Sequence, residues 1–335
     1  PVPFEEAPQY SGTDYVQNSN DSFWLTNVDS PITDVSPLYG LVGNQQSLRS
    51  RLAHRLLADE AGSDGKFSAT EVENALMGNR SYLSEDIKDD LLALCNANSA
   101  TPVNVSGTMV NISAGCDALA LWDGTMNKDS VGAHVFREFA FQFNRDPQWV
   151  NAYDVNDPLN TPNTLDANAA ALVQLATGIQ KIVNAGIALD ATLGEVQFVE
   201  KSTATGMPSG EKLPWGGAHN VEGGFNVFDV RTGNNGTELP SHVYPTVDST
   251  TRLSAAAGGY HITYGSSWMM VVNFTEDGPS ARGLLSYSQS NSPESDNADD
   301  QSRFYSMQPS LRPLHFTEAD IAANLVEEVS ITSNP

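Results

Sequence analysis

The run Thr263 to Phe274, TYGSSWMMVVNF, constrains the fold more than any other stretch of the chain. A strand with one wet face alternates apolar and polar residues, whereas here Met269, Met270, Val271 and Val272 stand in a row. Such a run suits a strand covered on both faces, as in a layered αββα or α/β sheet. The sheet it belongs to is therefore expected to be internal. GEVQFVE, GGFNVFDV, GGYHITYG and GLLSYSQS are further β-branched or aromatic runs punctuated by Gly, so the chain beyond Leu193 is expected to be mainly β.

Before Leu193 the period differs. Leu48, Leu52, Leu56 and Leu57 recur at helical spacing, Ser68-Ala69-Thr70-Glu71 forms a capping box, and Ser84-Glu85-Asp86 opens an amphipathic run that ends near Cys95. Further helices are expected at about 114 to 122, about 129 to 141 and about 166 to 187, the last one Ala- and Leu-rich. The first 45 residues alternate short extended runs with Pro, Asn and Asp and read as strands and loops. The expected class is α+β in one unit: a strand and loop segment over 1–45, a mainly helical part over 46–190 and a mainly β part over 191–335. The acidic stretch Ser292 to Gln301, SPESDNADDQ, reads as a surface loop.

A net charge of −24 with 17 Lys and Arg argues against nucleic acid and anionic membranes as partners, because phosphate binding needs a cationic patch. No stretch approaches the roughly 18 apolar residues of a membrane span, and Pro1-Val2-Pro3-Phe4 is neither a signal peptide nor a transit sequence. The chain is expected to begin as a mature or processed product.

Candidate chemistry is sparse. His54, His134, His219, His242, His261 and His315 are scattered with no paired metal spacing, and no GxSxG elbow is present. No metal site is expected from them. Glu60 to Glu71, EAGSDGKFSATE, resembles a calcium loop at Asp64, Gly65 and Glu71, but Glu60 and Gly62 stand where the first ligands belong. A capped turn between helices is the competing reading. Gly216, Gly217, Gly223 and Gly224 lack the strand and helix context of a nucleotide site. Cys95 and Cys116 are either two buried thiols or one disulfide.

One segment remains unexplained by these readings. YVQNSNDSFWLTN, Tyr15 to Asn27, sets Asn18, Ser19, Asn20, Asp21 and Ser22 between aromatic and aliphatic residues, where apolar side chains would build a core more easily. Together with SLRSRL, GCDALALWDG, LPWGGAHNVEGGFNV and TYGSSWMMVVNF, followed by GLLSYSQSNSPES and DDQ, it occurs in an order and spacing that resemble the penicillin acylase family. Within that family these motifs look most like the branch of acyl-homoserine lactone acylases and aculeacin A acylase. The resemblance runs from about Tyr15 to about Ile321, nearly the whole chain.

What the resemblance implies is an N-terminal nucleophile hydrolase with an αββα sandwich. The Ser that begins another chain attacks an amide carbonyl, with its own α-amino group as base. On the family pattern Asn20 donates to the oxyanion, with Asn18 as the alternative. Arg49 orients that asparagine, with Arg51 as its competitor. The C…CDxLxxWD pattern implies a Cys95–Cys116 disulfide and a periplasmic or secreted protein. Partners would be the α chain and the N-terminal part of the β chain, with a small amide as substrate and no cofactor. Some relatives hold calcium, for which Asp29 and Asp34 stand near the right place. Two departures accompany the match. Pro1 is not a Ser, Thr or Cys, and SPESDNADDQ lacks the aromatic and the His that relatives tend to carry there. A noncatalytic binding or assembly subunit of the same fold, and a calcium-stabilised module around Glu60 to Glu71, are the competing functions.

Overall fold

The computed structural model describes residues 2–59, 64–231 and 242–332. Its core is organised by a helix that is almost entirely buried. Helix α5, Ala133–Phe143, is preceded in the chain by α1 (Leu48–Asp59), α2 (Ala69–Met77), α3 (Tyr82–Asn98) and α4 (Ser113–Leu121), and followed by α6 (Ala169–Asn184). Ten of its eleven residues are buried, including four Phe. Gly178 of α6 lets the two helices approach: a Cβ there would sit 2.9 Å from the Glu138 carbonyl carbon. Any larger residue would force them apart.

The helix ends follow local chemistry. Ser68 and Glu71 form the capping box expected for α2. α3 starts at Tyr82, earlier than Ser84, because the Ser81 hydroxyl accepts from the Ser84 N–H and caps it. Cys95 of α3 and Cys116 of α4 form a disulfide with a Cα–Cα distance of 5.5 Å. The loop it closes contains the hairpin of β1 (Val103–Val105) and β2 (Thr108–Val110). β3 (Trp149–Asn151) and β4 (Asn163–Leu165) form a second small antiparallel pair.

Beyond Leu193 the strands are many and short. After α7 (Leu193–Val196) come β5 (Gln197–Val199), β6 (Leu213–Pro214), β7 (Phe228–Asp229), β8 (Tyr260–His261) and β9 (Tyr264–Gly265). β5 lies between antiparallel β6 and parallel β8. The longest strands, β10 (Trp268–Thr275) and β11 (Gly278–Leu285), pair antiparallel and are joined by β12 (Arg312–Leu314). α8 (Asp300–Met307) precedes β12, and α9 (Glu318–Ala323) follows it. The class is α+β. Two close approaches account for two of the four glycines of the LPWGGAHNVEGGFNV segment. Gly217, at φ 118°, faces the Phe228 ring, and Gly223, at φ 72°, packs on Leu48 and Tyr82.

Three expectations are corrected. Residues 2–45 contain no strand; three 3-10 turns, Phe4–Glu6, Phe23–Leu25 and Pro37–Tyr39, punctuate an irregular path. SPESDNADDQ is not surface loop to its end, because Asp300 and Gln301 begin α8 and the buried Gln301 accepts from the Leu285 N–H at 2.9 Å. The sheet of Met269 to Val272 is not internal in this chain. Met269 and Val271 are buried, while Trp268, Met270, Val272 and Phe274 are exposed.

Candidate active site

The polar cluster in the segment Tyr15 to Asn27 is a closed turn anchored from below by Trp24 and Leu25, both buried. The Gln17 N–H donates to the Thr26 carbonyl at 3.0 Å, and Asn27 Nδ2 donates to the Tyr15 carbonyl at 3.1 Å and to Asp14 at 2.6 Å. The Asn27 side chain thus serves a backbone carbonyl that a strand neighbour would have satisfied. Asn20 takes a left-handed conformation, φ 60°, which an Asn tolerates better than most residues. The expected strand is therefore a tight turn.

Within it Asn18 and Asn20 have different tasks. Asn18 Oδ1 accepts from the Asn20 N–H at 2.8 Å and Asn18 Nδ2 donates to the Asp21 carbonyl at 3.3 Å, so both ends of its side chain hold the turn. Asn20 Oδ1 accepts from Arg49 Nη2 at 2.8 Å, and the same nitrogen donates to the Ser19 carbonyl. A guanidinium only donates, so the oxygen of Asn20 must face it and the NH2 group must face away. Among the described residues nothing accepts from that Nδ2.

Asp21 ties the turn to α1. Its Oδ2 accepts from the Ser47 N–H at 2.7 Å and from the Ser50 hydroxyl at 2.8 Å, so a residue from another part of the chain serves the N-terminus of the helix that carries Arg49. Burial pushes the Asp21 carboxyl up, but the hydrogen bonds from Ser47, Ser50 and Ser22 prevail and hold it below its ordinary value. Arg49 is half-buried, and burial lowers its pKa against the opposing pull of Asp21. On the next turn of α1, His54 receives Gln17 Nε2 at 2.8 Å, bracing the turn from the side. Burial holds this imidazole below its ordinary pKa. The sequence names Asp21 and His54 but gives neither them nor Gln17 a bracing role, since their partners lie 26 to 37 residues away and leave no local pattern.

Arg51 points elsewhere. Its Nε donates to the Leu159 carbonyl at 2.8 Å, its Nη1 to the Pro162 carbonyl at 3.0 Å, and it lies over the Tyr82 ring and 3.6 Å from Asp86. It pins α1 to the loop before β4 and does not reach the asparagine turn. The serine hydroxyls nearest the turn are all engaged: Ser19 with Gln17, Ser22 with the Leu41 carbonyl, Ser47 with Ser50, and Ser50 also with Asp21. None of these serines is paired with a histidine among the described residues; the Tyr15 hydroxyl is the one that reaches His54, at 3.5 Å from Nδ1. Among the described residues the site offers a fixed amide donor and no serine activated by a histidine.

An apolar pocket of about 450 Å³ opens beside the turn, with Gln17 and Asn18 on its rim and Leu56, Phe67, Phe225 and Met270 among its walls. Asp29 and Asp34 are exposed, and no three His, Cys, Asp or Glu side chains converge as metal ligands among the described residues. The pair does not fit a calcium ion. In the stretch that resembled a calcium loop, Glu60 and Gly62 lie outside the described residues, Asp64 accepts from the Lys66 N–H, and Glu71 is spent on the α2 cap. No described helix is long and apolar enough to cross a membrane.

The sequence model for penicillin amidase matches residues 1–323. The chain belongs to the penicillin amidase family. Among relatives of this penicillin amidase family chain, aculeacin-A acylase of Actinoplanes utahensis is 30% identical over 322 residues, which is 93% of this chain and 36% of that protein. Acyl-homoserine lactone acylase PvdQ of Pseudomonas syringae pv. syringae is 29% identical over 99% of this chain and 39% of its own length. PvdQ of Pseudomonas fluorescens strain Pf0-1 is 31% identical over 95% of this chain and 37% of its own. The chain thus spans less than two fifths of the length of these relatives.

Proposed function

We propose that this chain is the oxyanion-stabilising part of a secreted or periplasmic acylase that hydrolyses the amide between an acyl chain and an amine such as a homoserine lactone, a lipopeptide core or a β-lactam nucleus. The fold it completes is the αββα sandwich of N-terminal nucleophile hydrolases. The nucleophile is a Ser at the start of a polypeptide outside this chain. Its hydroxyl adds to the amide carbonyl carbon while its own α-amino group, with pKa near ~8, takes the proton. The carbonyl oxygen becomes an oxyanion, and Asn20 Nδ2 donates to it. Collapse returns the proton to the departing amine and leaves an acyl-enzyme, which water hydrolyses by the same sequence.

The observation that carries this reading is the orientation of Asn20. Arg49 holds the amide oxygen and thereby commits the NH2 group to the open side, with its direction set before any substrate arrives. A preorganised donor of this kind costs no reorganisation when charge develops. Arg49 also draws electron density from the amide oxygen, which strengthens the N–H as a donor.

The test is intact mass and N-terminal sequencing of natively purified material, followed by hydrolysis assays with acyl-homoserine lactones and penicillins. A companion chain beginning with Ser and amide hydrolysis by the pair are expected. A companion that begins with neither Ser, Thr nor Cys, in a complex without hydrolase activity, would assign the chain to a binding or assembly role instead.

A further inference from the structure

Arg137 and Glu222 form an ion pair deep in the core. Arg137 projects from α5, Glu222 ends the 3-10 turn Asn220–Glu222, and both side chains are buried. The contact has two prongs: Arg137 Nε donates to Glu222 Oε1 at 2.7 Å and Nη2 to Oε2 at 3.2 Å. The rest of the guanidinium serves the Gly217 carbonyl at 3.0 Å and the Gln197 side-chain oxygen. Apolar residues of similar volume would hold a core about as well, because desolvation offsets most of the attraction within a buried pair. What the two-pronged contact adds is a fixed direction.

That direction is passed to the turn. Glu222 Oε2 also accepts from the His219 N–H at 2.6 Å, closing the turn on itself. The Glu222 carbonyl accepts from the Ser81 hydroxyl at 3.0 Å, which ties the turn to the residue that caps α3. Gly223, at φ 72°, then lies so close to Leu48 that a Cβ would come within 2.4 Å of the Leu48 Cβ. Leu48 is the first residue of α1 and Arg49 the second. The first turn of α1 thus has two supports: Asp21, through Ser47 and Ser50, and the turn that Glu222 closes.

We propose that Arg137 and Glu222 are positioning residues for the Asn20 donor. They seat the 3-10 turn, the turn seats the start of α1, and the start of α1 sets where the Arg49 guanidinium meets Asn20 Oδ1. The consequence for catalysis rests on the proposed acylase reading, whereas the consequence for the geometry of Asn20 does not.

Glu222→Gln in the complete acylase tests this. The amide keeps the shape, but whichever way it is turned its NH2 group faces a donor, either Arg137 or the His219 N–H. Phe139→Leu, a loss of volume in the aromatic row of the same helix, gives a destabilised variant with the pair intact. Amide hydrogen exchange is followed by mass spectrometry on three peptides: one with the Asn20 N–H, which donates to Asn18, one with the Ser47 N–H, which donates to Asp21, and one from α6 as reference. Glu222→Gln is expected to speed exchange in the first two by about tenfold or more relative to α6, and to lower kcat by about tenfold or more with KM nearly unchanged. Phe139→Leu is expected to leave those ratios and kcat near the parent's. Unchanged exchange around Asn20 and Ser47 in Glu222→Gln, the same exchange pattern in both variants, or a loosened turn with the parent's kcat overturns the proposal. Should Glu222→Gln fail to fold, Arg137→Lys is read in the same way, since a lysine keeps the charge and loses the two-pronged contact. The two ideas fail separately. A parent complex that hydrolyses no amide, with both peptides loosened in Glu222→Gln, refutes the acylase reading alone. An active parent whose Glu222→Gln variant exchanges as the parent does refutes the positioning role alone.

Discussion

Arg49 and Asn20 meet at 2.8 Å through a bond whose direction is fixed by chemistry, since the guanidinium can only donate and the amide oxygen can only accept. That single contact decides which end of Asn20 faces the open side. On the proposed acylase reading, Arg49 acts by orienting that donor, one step removed from any reacting atom.

Arg49→Lys is therefore expected to lower kcat of the complete enzyme by on the order of 100-fold, because a lysine keeps the charge but not the planar reach to both Asn20 and Ser19. The urea midpoint is expected to change little, since the contact lies on an exposed turn. Measuring kcat, KM and the midpoint on one preparation separates the two effects. A large fall in the midpoint with kcat preserved would make Arg49 structural.

Arg51 is expected to behave in the opposite way. It is 1% exposed and bridges Leu159, Pro162 and Asp86. Removing one partner of a buried ion pair typically costs about 3–5 kcal/mol, so Arg51→Ala should unfold at markedly lower urea. A variant as stable as the parent would contradict the role given to it here.

The Cys95–Cys116 bond joins residues 21 apart and holds α3 to α4 across the β1–β2 hairpin. A closed loop of this size is worth about 3 kcal/mol in the chain-entropy account. Urea unfolding with and without reductant should show a loss of that order, and a Cys95→Ala/Cys116→Ala double variant should match the reduced protein. No change on reduction would mean that the core holds the two helices without it.

Glu138 gives stability a pH dependence. It is fully buried on α5, its Oε1 accepts from Thr251 at 2.6 Å and Tyr260 at 2.7 Å, and its Oε2 has no hydrogen-bond partner. Burial pushes its carboxyl up to about 7 against the hydrogen bonds of Thr251 and Tyr260 and the charges of Lys181 and Arg137. A carboxyl whose folded pKa exceeds its unfolded value of ~4.3 contributes stability that is complete below the unfolded value and is lost as pH rises through the folded one. The urea midpoint should accordingly fall between about pH 4 and about pH 7, and Glu138→Gln should flatten that fall. A parent and variant with parallel pH profiles would show that Glu138 does not titrate in this range.

Legibility in the sequence followed the range of the interaction. The α2 capping box needs only Ser68 and Glu71, three residues apart, and both the box and the helix form. Helices at Ser113–Leu121, Ala133–Phe143 and Ala169–Asn184 follow from their period, with ends displaced by a few residues. The Cys95–Cys116 bond was implied by the family pattern and is present. The pairing of Asn20 with Arg49 was also suggested by resemblance, and the structure brings the two together. Yet the strand expected for Asn20 is a turn, because Asn18, Asp21 and Asn27 satisfy its backbone and its helix neighbour through contacts that no periodicity records. Likewise Arg137 of α5 meets Glu222, 85 residues away, at 2.7 Å. The apolar run Met269 to Val272 was legible as apolar on both sides, but cover for its second face is not provided by the described residues.

The most direct measurement is steady-state amide hydrolysis by the complete acylase carrying Asn20→Ala. If Asn20 Nδ2 donates to the oxyanion, kcat falls by about 100- to 1000-fold while KM stays close to that of the parent, because the bond is made only as charge develops. A kcat within about twofold of the parent would contradict the account, and the amide would then be one more hydrogen bond in a surface turn.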